Sequence, residues 1–214
     1  MENYMREYES LVTTREDKVD GIGPWYWLKS DSGAWDGPKT DWENHHKFKW
    51  FKHVTDWTCC VQAGACQGMY PRLLAYKFNT VYSFEPDRLN HYVACMNNQS
   101  DNVYILNAAI GKQTGTFTGV TRNHMDNVGM HRTEGCGPVA IISLDSLNFP
   151  FLGLLALDIE GYEYEAIQGA VQTIDRCSPV IVLERPGAPV KEILDKLGYK
   201  QDCESMADVV FVRR

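Results

Sequence analysis

Residues 57–68 read Trp57-Thr58-Cys59-Cys60-Val61-Gln62-Ala63-Gly64-Ala65-Cys66-Gln67-Gly68. A short, mostly apolar run closed by a glycine-bearing turn is the pattern of a buried strand passing into a helix. Glycine at such a turn lets backbone N–H groups come close to a ligand. A dinucleotide fingerprint needs G-x-G-x-x-G, and this segment lacks the first glycine. Taken alone, the turn reads equally well as a ligand loop or as a plain tight turn.

Downstream, apolar runs alternate with helical patterns. Strands are expected at residues 57–62, 81–85, 102–107, 154–159 and 180–184, with a last strand at 208–213 pairing with a short one near 199–203. Helices are expected at 70–78, 86–98, 162–175 and 189–197. In the second of these, Leu89, Tyr92, Val93 and Met96 share one face by their three- and four-residue spacing. Such alternation predicts an α/β fold with a mainly parallel sheet and helices on both faces. Residues 111–138, rich in Gly, Thr and Asn, read as a long excursion.

Two acids stand where chemistry is expected. Glu85 ends the second strand, about twenty residues after the glycine turn, where an acid accepts hydrogen bonds from both ribose hydroxyls of a nucleoside. Its bland reading is a helix cap or a solvated acid. Asp158 ends the strand at 154–159, and ligands of open α/β sheets sit at the carboxyl ends of strands. Glu160 and Glu163 follow at the start of a helix. Glu163 reads as a capping acid that complements the helix dipole.

The chain has 214 residues, 44% of them hydrophobic, and a formal net charge of -7. That length suits one domain. The acidic balance argues against non-specific binding to nucleic acid or anionic membrane. The apolar stretch 149–157 is too short to span a bilayer, and the N-terminus has no signal-like core. A cytoplasmic protein is expected. Seven cysteines without a CxxC pair suggest neither a disulfide framework nor a zinc site, and no metal is expected.

All six tryptophans fall between Trp25 and Trp57. Residues 1–56 are read as a lid or cap on a 57–214 domain, with aromatic faces closing over a ligand or stacking on a sugar. The rival reading is a satellite core. Lys47, Lys49 and Lys52, beside His45-His46, read as a solvated helix face.

In order and spacing, several stretches resemble the FkbM-type methyltransferases. They are the turn at Val61 to Gly68, Phe84-Glu85-Pro86-Asp87, Asn107-Ala108-Ala109-Ile110-Gly111 and Ser143-Leu144-Asp145-Ser146-Leu147. Leu157-Asp158-Ile159-Glu160-Gly161-Tyr162-Glu163 follows, with Gly169-Ala170 and the run from Pro179 to Glu184. The resemblance covers about residues 57–184. It implies a class I, Rossmann-like methyltransferase fold with a seven-stranded sheet whose last strand is antiparallel. It also implies S-adenosylmethionine (SAM) as cofactor and O-methylation of sugars or small natural products. Carried onto this sequence, it places Gln62, Gly64, Ala65, Gly68, Glu85, Pro86, Asn107, Ala108 and Asp158 around the cofactor. Gln62 stands where many relatives have Asp. The stretch Asn127-Val128-Gly129-Met130-His131-Arg132 is similar to a subgroup associated with bacterial viruses. Methyl transfer to a hydroxyl calls for a base, for which the candidates are Asp158, Glu160 and His131. Rival readings are a nicotinamide-dependent oxidoreductase and a non-catalytic SAM- or nucleotide-binding module.

Overall fold

The computed structural model describes residues 8–15, 24–31, 46–122, 126–205 and 207–214. It opens on two short antiparallel strands, β1 (Val12–Arg15) and β2 (Trp25–Leu28). After a 3-10 segment at His46–His53 come β3 (Cys59–Ala63), α1 (Met69–Leu74), β4 (Thr80–Phe84), α2 (Arg88–Asn97) and β5 (Val103–Leu106). Next are β6 (Ala109–Ile110), β7 (Phe117–Thr121), β8 (Arg132–Ile142), α3 (Leu144–Leu147) and β9 (Leu154–Leu157). The chain continues through α4 (Glu163–Gln168), α5 (Val171–Cys177), β10 (Val180–Glu184), α6 (Ala188–Lys196), β11 (Tyr199–Ser205) and β12 (Asp208–Arg213).

Among the described residues, seven strands form one sheet in the order β11-β12-β10-β9-β3-β4-β5. The five strands from β10 to β5 are parallel, and β12 runs antiparallel between β10 and β11. This is the Rossmann-like arrangement expected from the sequence. Fully buried β3 lies in the middle of the five parallel strands, as the apolar run at 59–61 requires. The two-residue period of the strand sends Val61 and Ala63 to one face, against Ala166, Ile167 and Ile174 of α4 and α5. Cys60 faces the other way, towards Leu73 and Leu74 of α1 and Trp50.

The expected helix at 162–175 is two helices. A Cβ on Gly169 would stand 2.0 Å from the Gly111 carbonyl oxygen, so the chain passes too close there for any other residue. The Asp145 carboxylate then accepts from Gln172 N and Thr173 N and starts α5 afresh. The helix expected at 70–78 stops at Leu74 and continues as turns.

Much of the described part of 111–138 is strand: β7 and β8 pair antiparallel, and β8 also pairs with β6. A register shift between Thr118 and Gly119 interrupts the alternation that marks a strand in sequence.

Of the tryptophans, Trp25, Trp27 and Trp50 are buried, and Trp57 packs on Phe51 and Phe78. Trp35, Trp42 and His45 lie outside the described residues. Strand β2 is fastened to the main domain by its backbone: Leu28 N donates to Gln67 Oε1 (2.7 Å) and Tyr26 N to Asn97 Oδ1 (2.8 Å). Among the described residues, no helix is long and apolar enough to cross a membrane.

Candidate active site

The turn after β3 is shaped by a close approach. Gly64 has φ +84°, and a Cβ there would lie 1.8 Å from the Asp158 carbonyl oxygen. Gly64 N and Ala65 N both donate to the Phe84 carbonyl at the end of β4 (3.0 and 3.1 Å). Buried Gln62 braces the same turn: its Nε2 donates to the carbonyls of Ala63 (3.0 Å) and Gly64 (2.9 Å), and its Oε1 accepts from Ser83 Oγ. The carboxyl ends of β3, β4 and β9 are thereby drawn together.

Glu85, directly after β4, is buried. Its Oε2 accepts from Cys66 N (2.7 Å) and its Oε1 from Asp87 N (2.8 Å). Burial nevertheless dominates and pushes its pKa up to about 8. Asn107 supports this wall by donating from Nδ2 to the carbonyls of Glu85 (2.9 Å) and Pro86 (3.1 Å).

Asp87 is a hub. Its Oδ1 caps α2, accepting from Leu89 N (2.8 Å) and Asn90 N (3.2 Å). Its Oδ2 accepts from Arg122 Nε (2.6 Å) and from His131 Nδ1 (3.2 Å). Burial alone would raise its pKa, but the bonds from His131 and Arg122 outweigh it and hold the carboxyl well below the usual range. A further tie runs from Asn90 Nδ2 to the Val128 carbonyl (3.1 Å). With Nδ1 donating to Asp87, His131 Nε2 is left buried, with no hydrogen-bond partner among the described residues.

One cleft collects Gly64, Glu85, Pro86, Ala108, His131, Asp158 and Glu160. Asp158 also lines a second cleft, shared with Trp50, Gln62, Tyr70 and Asp208. The carboxylates of Asp158, Glu160 and Glu184 lie within 4.8 Å of one another. Burial, followed by the Glu184 charge, raises the pKa of Glu160. A second donor set, His53, Asp202 and Cys203, lies on the far edge of the sheet. Glu163, expected as a cap, instead braces the turn before α4, accepting from Ile159 N (3.2 Å) and Gly161 N (3.4 Å) rather than from a helix N–H.

The structure thus brings Gly64, Glu85, Pro86, Ala108, His131, Asp158 and Glu160 to one place. Ala65 and Asn107 stand behind this wall, Gln62 opens on the second cleft, and Gly68 packs against Ala94 of α2. Sequence reasoning missed Asp87 and Arg122. The available signal was an acid just after Glu85-Pro86 at a helix start, because a capping carboxylate keeps one oxygen for another partner.

A family model, the methyltransferase FkbM domain, matches residues 62–204. No curated protein matches the chain. Similar solved structures include the FkbM methyltransferase of Methylobacillus flagellatus KT, at 15% identity and TM-score 0.45, covering 73% of this chain but only 43% of that one. The magnesium protoporphyrin IX methyltransferase of Synechocystis PCC 6803, solved with bound SAM, is 12% identical at TM-score 0.46, covering 77% of this chain and 75% of that one. The ribosomal protein L11 methylase of Lactobacillus delbrueckii subsp. bulgaricus is 8% identical at TM-score 0.48, covering 79% and 76%. Because the family model spans more than half of the sequence, the chain belongs to the FkbM methyltransferase family.

Proposed function

We propose that the protein transfers a methyl group from SAM to a hydroxyl on a sugar, glycan or small metabolite. The observation that carries this reading is one cleft in which the Gly64 turn, Glu85 and Asp158 meet at the ends of three adjacent strands. The residues fit the cofactor. Two backbone N–H groups use part of the Glu85 carboxylate's acceptor capacity, leaving lone pairs for ribose hydroxyls. The orphaned His131 nitrogen offers one more polar contact.

When bound, SAM supplies an electrophilic methyl group on a sulfonium. The protein's task is alignment of the acceptor oxygen, plus removal of its proton. We assign the proton to Asp158, which lines both clefts, with Glu160 as the next carboxylate. The acceptor enters the second cleft, which is lined by Tyr70, Asp158 and Asp208. The proposal keeps the cytoplasm as its setting and small hydroxylated molecules, not nucleic acid, as acceptors.

Incubation with methyl-labelled SAM and a panel of glycans and hydroxylated metabolites is expected to give a methyl ether and S-adenosylhomocysteine in equal amounts. Calorimetry in which NAD binds more tightly than SAM overturns the reading. SAM binding without turnover on any acceptor favours a non-catalytic module instead.

A further inference from the structure

We infer that His131 is a cofactor-binding residue held in place by Asp87. Its Nε2 accepts a hydrogen bond from the adenosine part of SAM, a role that rests on the cleft being the SAM site. A carboxylate only accepts, so Nδ1 carries the proton that reaches Asp87 Oδ2, and in the neutral tautomer that this bond selects Nε2 presents a lone pair. That lone pair is buried and unmatched in a ring whose side chain is 9% exposed. Buried polar atoms in folded proteins are nearly always paired, so an orphan lining a cleft marks a place for a ligand donor.

The location selects which part of the cofactor supplies that donor. Asp87 N donates to the Glu85 carboxylate, so the dyad is built onto the ribose-binding end of β4. Asp158, by contrast, stands at the end of β9, on the other side of β3. The segment carrying His131 is clipped to the start of α2 through Asp87, and through the Asn90 bond to Val128.

The test measures binding alone and needs no acceptor. Calorimetry is run with S-adenosylhomocysteine and with 5′-methylthioadenosine, which keeps the adenosine and lacks the amino-acid tail. His131→Phe keeps a ring and removes the lone pair. Asp87→Asn keeps the cap oxygen but turns an N–H towards Nδ1, which drives the imidazole proton to Nε2. Asp87→Ser also keeps a capping oxygen and removes the carboxylate. Each variant is expected to weaken both ligands by about tenfold, the scale of one hydrogen bond.

Unchanged affinity in His131→Phe overturns the inference. So does a loss confined to S-adenosylhomocysteine, which would place the ring at the tail. A wild-type protein that binds neither ligand overturns the SAM reading itself. Nitrogen-15 spectra of histidine-labelled wild-type protein supply a readout independent of any variant. They are expected to show His131 with the proton on Nδ1 and an Nε2 signal that moves when 5′-methylthioadenosine is added. An unmoved signal overturns the contact.

Discussion

Glu85 carries two linked pH effects. Its native pKa is about 8 against an ordinary value of 4.5, so the folded protein holds a proton that the unfolded chain releases. Its contribution to stability is therefore fully present below about pH 4.5 and is lost as pH rises towards 8. Hydroxyl donors prefer the ionised carboxylate, so SAM affinity is expected to rise over the same interval. Glu85→Gln should flatten both profiles, measured by thermal melts and calorimetry from pH 5 to about 9. Glu85→Ala is expected to weaken SAM binding by on the order of 2–4 kcal/mol; a change under about threefold would show that Glu85 does not hold the ribose. For Asp158, the expected result is that Asp158→Asn lowers turnover by about 10²–10⁴-fold with SAM affinity nearly unchanged. Glu85, Asp158 and Gly64 were legible because each closes an apolar strand, and strand ends in this architecture gather at one edge. The contact between Asp87 and His131 was not, because it joins residues 44 apart through a segment whose pairing no periodicity announces.

Among the elements, the turn before α1 and the end of α2 do more than flank the sheet. Gln67 and Asn97 accept from the backbone of β2, and Gln67 Nε2 donates to buried Asp31 (2.7 Å). Gln67→Ala strands a buried N–H on Leu28, at about 1–3 kcal/mol by urea unfolding. Trp25 and Trp27 are buried, as a satellite core requires of them. At the break between α4 and α5, Gly169→Ala forces a methyl against the Gly111 carbonyl. A loss of about 1–3 kcal/mol is expected there, and a neutral result would mean the two segments can part without strain. The parallel strands were readable as apolar runs, whereas β7 and β8 escaped notice because their pairing shifts register midway.

For the whole molecule, a mainly parallel sheet follows from the alternation of strand and helix patterns far better than element ends do. The antiparallel placement of β12 came from family resemblance and not from any residue in it. Because the cleft exists only in the folded chain, SAM at 100 times its dissociation constant should stabilise the fold by about 2.7 kcal/mol, seen as a rise in Tm. An unmoved Tm at saturating SAM would count against the cleft as the binding site. The central position of β3 has a further consequence for synthesis. Its neighbours are β4, made soon after it, and β9, made much later. While the ribosome works through residues 64–153, fully buried β3 has one flank with nothing to pair with. A nascent chain stalled just before Leu154 should therefore attract chaperones and be cleaved readily by protease, and one released beyond Leu183 should resist both.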